Sequence, residues 1–218
     1  GKPDLALGAV HDPGAGLGLE RQAEDALSYL LASKLGSSTI TSLSLRSLID
    51  EALGGDPGVG VAIREDLRAV LSRDPACLGY SIPLLHFKGF HALESYRISH
   101  WLWQQQRRPL ALFLQNRISS EFGVDIHPAA RVGRGILLDH ATGVVIGETA
   151  EIGDDCTLYH GVTLGGTSWN QGKRHPTLAR GVVIGAGQFG HAATDGGAHL
   201  LRIGGSCSTA RAMAQIGS

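Results

Sequence analysis

Apolar residues recur at every sixth position between Gly123 and Thr167, a period that fits neither an α-helix nor a flat strand. Glycines often follow these apolar anchors directly, and small or β-branched residues usually stand four positions after them. The pattern predicts a coil of short strands with three faces per turn, in which each anchor points into a narrow axial core. We therefore interpret residues 123–187 as a left-handed parallel β-helix rather than an all-β domain with ordinary alternation. A slip of two residues separates two blocks of anchors: Ile126, Val132, Leu138 and Val144, then Ile146, Ile152, Leu158 and Leu164.

Residues 20–122 have helical periodicity instead. A first helix presents leucines on one face and ends at Gly36. Ser44 is predicted to cap a second helix, and Asp56–Pro57 to open a third as cap and first residue. The dipeptide Asp74–Pro75 repeats that start signal.

Two further helical segments complete this region. A longer segment is predicted from Pro83 through Trp101, and a last helix starts at Pro109 and ends at Gly123. The chain therefore belongs to the α+β class, with an all-helical domain (20–122) joined without a linker to the β-helix.

The two ends of the chain lack these periods. Residues 1–19 are rich in Gly, Pro and Asp and predict an irregular lead-in. Residues 168–180 break the six-residue period and predict a polar excursion loop, after which the coil is expected to resume up to Gly187. The next anchors would fall at Gly190, Gly196 and Arg202, and none of these can fill an axial core. We therefore expect residues 188–218 to form an irregular tail.

Composition narrows the function classes. Nineteen Lys and Arg nearly balance 20 Asp and Glu, so charge gives no reason to expect nucleic acid or an anionic membrane as partner. Cys77, Cys156 and Cys207 are odd in number and widely spaced, which argues against disulfides and zinc and for a reducing, cytoplasmic compartment. No apolar run approaches the ~20 residues of a membrane span, and the first thirty residues do not resemble a signal peptide.

Asp125 and His140 are the first candidates for chemistry. They lie fifteen residues apart where one turn takes about eighteen, so we expect them on nearby turns. A carboxylate beside an imidazole can fix its tautomer for general-base work, although such a pair can equally be a structural hydrogen bond. Asp139 and Arg174–His175 add polar groups that have no packing role. They are candidates for the site, although they can equally belong to a solvated loop. No group of residues has metal-ligand spacing, and no Gly-rich phosphate-binding element joins a strand to a helix.

Seven stretches carry a specific resemblance to a known family. The chain resembles the bacterial-type serine O-acetyltransferases, which are hexapeptide-repeat enzymes of cysteine biosynthesis. The helical stretches matter because other hexapeptide acyltransferases share only the coil. The matching stretches are ALSYLLASKL (26–35), SRDPA (72–76), PLLHFKGFHALESYRISHWLW (83–103), LFLQNRIS (112–119), VDIHPAARVGRGILLDHATGVVIGETAEI (124–152), GVTLGGT (161–167) and KRHPTLARGVVIGAG (173–187).

The resemblance implies a reaction in which acetyl passes from acetyl-CoA to the hydroxyl of L-serine. His140 matches the general base of the family and Asp125 its orienting partner. Asp74 and Asp139 match carboxylates that hold the substrate amino group. Arg174 matches the cation that takes the substrate carboxylate.

The same resemblance implies a binding pocket and an assembly. His175 lines the serine pocket, and L-cysteine competes there as a feedback inhibitor. Gly166, Thr167 and Ala186 match a CoA groove between neighbouring coils of a trimer, and the helical domains pair two trimers into a hexamer. Acetyl-CoA is the expected co-substrate, and we expect no metal.

The chain departs from the family after Gly187. The family continues with further hexads and a tail ending in Ile that docks into O-acetylserine sulfhydrylase, and residues 188–218 show neither feature. We therefore expect weakened CoA binding and no sulfhydrylase complex. Two other functions stay open: a catalytically impaired oligomeric scaffold or cysteine-binding protein, and an acyltransferase with another hydroxyl acceptor such as homoserine.

Overall fold

Helices occupy the first part of the chain and short strands the second. The computed structural model describes the backbone of residues 13–166, 172–195 and 198–204, and the side chains of residues 23–166 and 172–190. The helices are α1 (Pro13–Leu35), α2 (Ser42–Gly55), α3 (Pro57–Arg73), α4 (Ser81–His86), α5 (Lys88–Gln104) and α6 (Arg108–Phe122).

The helix starts agree with the sequence in part. Helix α1 begins at Pro13, so the predicted lead-in is helical from that residue, while residues 1–12 lie outside the described range. The predicted Ser44 cap is wrong, because the Thr41 hydroxyl accepts the Ser44 N–H at 3.2 Å and Ser44 lies in the first turn of α2. Asp56 caps α3 as predicted, accepting the Gly58 N–H at 2.8 Å.

Two later predictions need correction. Asp74 does not start a helix but ends α3, and its carboxylate accepts the Ala76 N–H at 2.8 Å in a tight turn. The segment predicted from Pro83 divides into α4 and α5 at Phe87, whose backbone is extended (φ −86°, ψ 105°). Helix α6 ends at Gly123 as expected, since this residue adopts a left-handed φ of 67°.

The strands form the three faces of a parallel coil. The strands are β1 (Val124–Ile126), β2 (Arg131–Val132), β3 (Leu137–Asp139), β4 (Val144–Ile146), β5 (Glu151–Ile152), β6 (Thr157–Tyr159), β7 (Thr163–Gly165), β8 (Thr177–Leu178), β9 (Val183–Ile184), β10 (Phe189–Asp195) and β11 (Ala198–Gly204). One face has the order β1-β4-β7-β10-β11, the second β2-β5-β8 and the third β3-β6-β9, and every pair except β10–β11 is parallel. The predicted left-handed parallel β-helix is confirmed.

The turns of the coil differ in length. Ile126 pairs with Ile146, so the first turn takes 20 residues, and Ile146 pairs with Leu164, so the next takes 18. The excursion loop lengthens the following turn, because Ile152 pairs with Leu178 across 26 residues. Residues 167–171 of this region lie outside the described ranges.

The prediction of an irregular tail is wrong where the structure describes it. Strand β10 runs parallel to β7, with Phe189 opposite Thr163, and β11 folds back antiparallel to β10. The Gln188 carbonyl also accepts the Thr163 N–H at 3.0 Å. Backbone groups make these bonds, so the missing anchor side chains do not prevent pairing. Residues 196–197 and 205–218 lie outside the described part.

The helical domain packs directly on the coil, and one apolar core runs from Leu27 to Ile184. The central helix α5 is buried along most of its length, between the other helices and strand β3. Within the described ranges, no helix combines the length and apolar character that crossing a bilayer requires.

Candidate functional site

The first candidate group is the turn of residues 139–143 between β3 and β4, here called the His140 corner. Asp139 ends β3, and His140 and Ala141 follow with left-handed φ values of 55° and 58°. Ala141 is fully buried, whereas the His140 side chain is 78% exposed, with its Nε2 3.9 Å from Asp139 Oδ1. The corner therefore presents a solvent-exposed imidazole on a backbone turn that is anchored by the buried Ala141.

His160 lies beside His140 on the next turn of the coil. The two rings are 6.2 Å apart between centroids and inclined by 64°, and the Gly161 N–H below them donates to the Thr142 carbonyl at 2.8 Å. The sequence pattern alone does not distinguish His160 from the other histidines. Its signal was the separation of 20 residues from His140, which equals the length of the first turn, and that length is evident only from the register.

Asp125 lies half-buried on β1. Its Oδ1 accepts a hydrogen bond from Gln115 Nε2 at 2.6 Å, and Gln115 comes from helix α6. No hydrogen bond or ion pair among the described residues joins Asp125 to His140, so their catalytic pairing stays a prediction. The second carboxylate oxygen accepts none of the described bonds and is available to a further donor.

The second candidate group consists of residues 147–149 and 173–175, here called the Arg174 corner. Arg174 forms an ion pair with Glu148, and this hydrogen bond lowers the pKa of the Glu148 carboxyl. The Thr149 hydroxyl accepts the backbone N–H groups of Arg174 and His175 at 3.0 and 3.1 Å. Glu148 and Thr149 thus hold residues 173–175 in place. The sequence does not mark either residue as functional, because their contacts with Arg174 and His175 depend on the tertiary structure.

His175 is buried, and its hydrogen bonds define its tautomer. The Thr149 backbone N–H donates to Nδ1 at 3.1 Å, and the Thr149 hydroxyl lies 2.8 Å from the same atom. Nδ1 is therefore an acceptor, which leaves the proton on Nε2. Burial, together with the neighbouring Arg174 charge, lowers the pKa of His175, so the neutral form prevails.

His127 belongs to the same region. Its ring lies 5.2 Å from that of Trp103 in an edge-on arrangement, and burial lowers its pKa. The charges of Glu148 and Asp125 act in the opposite direction on His127. The His127 ring thus lies within electrostatic reach of both Asp125 and the Arg174 corner.

The structure does not bring all predicted site residues together in one chain. Within the described part, no hydrogen bond, ion pair or ring contact joins the His140 corner to the Arg174 corner or to Asp74. Gly166 abuts the Arg174 corner, where a Cβ atom would lie 2.9 Å from the Arg174 carbonyl oxygen. Ala186 is exposed after β9, and Thr167 lies outside the described residues.

Among the side chains that the structure describes, no three His, Cys, Asp or Glu residues converge in a way that could hold an ion. The two corners present imidazoles, carboxylates and a guanidinium, groups that can transfer a proton and bind a substrate that carries both charges.

Comparison with known proteins gives consistent matches. The family model "Serine acetyltransferase, N-terminal" matches residues 19–95. A serine acetyltransferase of Salmonella typhimurium is 56% identical over 162 residues, which cover 74% of this chain and 59% of that protein. The chain thus spans about three fifths of the length of this curated relative.

Solved structures give the same result. The serine acetyltransferase of Neisseria gonorrhoeae in complex with serine shares 51% identity at a TM-score of 0.74, with 76% of this chain and 68% of that one covered. A serine acetyltransferase in complex with cysteine is 53% identical at 0.74, covering 75% and 68%. Another, in complex with CoA, is 52% identical at 0.70, covering 75% and 67%.

Proposed function

Because this chain belongs to the serine acetyltransferase family, we propose that it transfers acetyl from acetyl-CoA to the hydroxyl of L-serine. The products are O-acetyl-L-serine and CoA, in the first step of L-cysteine biosynthesis. The observation that carries the proposal is the exposed His140 imidazole, held next to the Asp139 carboxylate on a left-handed turn.

His140 acts as the general base in this reaction. A serine hydroxyl is barely acidic near pH 7, so a base must remove its proton as the oxygen attacks the thioester carbonyl. The C–S bond then breaks, and the CoA sulfur leaves as the thiol with a proton returned from the imidazolium. No enzyme nucleophile is needed. Asp125 would orient the imidazole through the carboxylate oxygen that Gln115 does not occupy.

The substrate is a zwitterion, so its recognition needs both charge types. Arg174 supplies the cation: one edge of its guanidinium pairs with Glu148 and leaves further N–H donors for the serine carboxylate. Asp74 and Asp139 would hold the substrate ammonium group. Neutral His175 presents its Nε2–H to the same pocket.

A complete site needs a second copy of the chain. The His140 and Arg174 corners make no contact within the described part of one chain, so we propose that the site forms between neighbouring coils of a trimer. Two trimers would pair through the helical domains. The proposed CoA groove runs between the coils along Gly166, Thr167 and Ala186.

Several further assignments belong to the same proposal. L-cysteine is isosteric with L-serine and would compete at the serine site, in keeping with the related structure in complex with cysteine. Cys77 and Cys156 are buried free thiols, which suits a cytoplasmic enzyme.

Acceptor profiling tests this function. The purified chain is incubated with acetyl-CoA and either L-serine or L-homoserine, with thiol release as the readout and mass spectrometry to identify the product. We expect O-acetyl-L-serine with a clear preference for L-serine. A preference for homoserine would indicate the other acyltransferase. Calorimetric binding of L-cysteine without any turnover would indicate the impaired scaffold.

A further inference from the structure

The first turn of helix α5 lies directly against the His140 corner. A Cβ atom built on Gly89 would lie 2.1 Å from the Leu138 carbonyl oxygen and 3.1 Å from the Ala141 Cβ. Any larger residue would therefore push the helix and the corner apart. Gly89 is buried, so this contact is a packed interface rather than an open gap.

Two polar contacts hold the other end of the same corner. The Lys88 ammonium donates to the Thr142 hydroxyl. The Gly143 N–H donates to the Gly123 carbonyl at 2.7 Å, at the end of helix α6. The helical domain thus contacts the corner on both sides of His140.

The corner needs such support because its backbone is unfavourable. His140 and Ala141 have left-handed φ values, which L side chains rarely adopt and which persist only where the surroundings fix them. Inside the turn, the Ala141 N–H donates to Asp139 O at 2.6 Å, and the Thr142 N–H donates to His140 O at 2.8 Å. These short-range hydrogen bonds close the turn. They do not fix its orientation relative to the coil, which depends on contacts with the helical domain.

We propose that Lys88 and Gly89 are positioning residues for His140. They fix the left-handed turn from the helical domain, and the turn aims the imidazole. Neither residue needs to touch substrate. The catalytic consequence rests on the proposed acetyl transfer, whereas the structural consequence can be measured without it.

Lys88→Met tests the polar contact, since it keeps the apolar stem and removes the donor. We expect kcat to fall roughly 10- to 100-fold, because small misplacements of a catalytic group cost that much. The KM values for L-serine and acetyl-CoA should stay unchanged, and Lys88→Arg should recover part of the rate. Lys34→Met serves as the matched control, because Lys34 is half-buried on α1 and makes none of the described hydrogen bonds.

Thr142→Val removes the other partner of the same hydrogen bond. It should reproduce the Lys88→Met loss, and the double variant should be no worse than either single one, since both delete one interaction. Gly89→Ala should lower kcat more than Gly54→Ala, because a Cβ on Gly54 meets nothing within 4 Å.

Amide hydrogen exchange separates this inference from the proposed function. In Lys88→Met and Thr142→Val, peptides covering residues 137–145 should exchange faster than in wild type and in Lys34→Met. An inactive wild-type chain would overturn the proposed function. The exchange measurement would still show whether the contact of Lys88 with Thr142 holds the His140 corner in place. Unchanged exchange in both variants, or normal kcat of Lys88→Met in an active enzyme, would overturn the positioning role.

Discussion

The Glu94 side chain is completely buried, and neither of its oxygens accepts a hydrogen bond from the described part of the chain. Asp66 beside it accepts the Ile136 N–H and the Arg97 Nε–H, both at 2.7 Å. Burial raises the pKa of Glu94 well above its ordinary value and that of Asp66 to about 6. Arg97 Nε also lies 3.4 Å from Glu94 Oε2. A protonated Glu94 can donate to Asp66, so we interpret Glu94 as neutral and the Asp66–Arg97 pair as the ionised contact of this cluster.

Stability should therefore depend on pH through Glu94. Because the pKa of Glu94 is raised in the folded state, the folded chain keeps a proton at pH values where the unfolded chain has lost it. The protonated Glu94 therefore contributes fully to the unfolding free energy below its ordinary pKa near 4.5, and this contribution declines as the pH rises. Glu94→Gln removes this term. We expect it to match wild type near pH 5 and to exceed it by ~1–3 kcal/mol in unfolding free energy at pH 8.

Urea titrations at both pH values measure this difference. The raised pKa of Asp66 lowers the stability of both proteins over the same range, so only their difference reports on Glu94. A Glu94→Gln variant that is less stable than wild type at pH 8 would show that the ionised carboxylate stabilises the fold.

At the other corner, Arg174 is proposed to bind the substrate carboxylate. We expect Arg174→Ala to raise the serine KM and the cysteine dissociation constant together by roughly 10- to 100-fold, because hydrogen bonds to charged groups are worth ~1.5–3 kcal/mol. Arg180→Ala is the control, since Arg180 is exposed and pairs with Asp155. Calorimetry with L-cysteine and kinetics with L-serine give the two values, and a rise in only one of them would contradict a shared site.

At the scale of elements, the sequence predicted the coil well because its physical cause is periodic. Each turn must place an apolar side chain on the axis, so Ile126, Ile146 and Leu164 stand out without any structure. The two-residue slip between Val144 and Ile146 lies directly after the His140 corner. The sequence did not give the length of the first turn, because the left-handed residues His140 and Ala141 are not glycines and carry no signal for such a turn.

Other elements could not be predicted because their formation depends on backbone hydrogen bonds or on contacts between residues far apart in the sequence. Strand β10 pairs through its N–H and C=O groups, with Gly190 opposite Leu164, where no anchor pattern exists. The break at Phe87 lets α5 start at Lys88 and approach the coil. Gln115 and Glu148 reach Asp125 and Arg174 from elements whose relative placement is a tertiary property.

Glycines after the anchors differ in what they tolerate. A Cβ on Gly147 would lie 2.0 Å from the buried His175 ring, whereas one on Gly185 meets nothing within 4 Å. We therefore expect Gly147→Ala to lower unfolding free energy by ~1–3 kcal/mol through overpacking, and Gly185→Ala to change it far less. Thermal unfolding of the two variants measures the contrast, and equal effects would contradict the close packing of His175.

At the scale of the whole molecule, the proposed site is shared between copies. Chains carrying His140→Ala and chains carrying Arg174→Ala should each be nearly inactive. When they are mixed and refolded together, about one quarter of the interfaces receive both intact groups. We expect activity to return to a corresponding fraction of wild type. Mixtures no more active than their components would indicate that each chain completes its own site.

The central claim is that His140 is the base of a serine acetyltransferase, and the rate of serine-dependent CoA release by His140→Ala tests it most directly. The control is His86→Ala, which alters an exposed histidine that makes none of the described hydrogen bonds. We predict that His140→Ala lowers kcat by ~10²–10⁴-fold with the mass of the assembly unchanged, while His86→Ala stays near wild type. Near-normal turnover by His140→Ala would contradict the account.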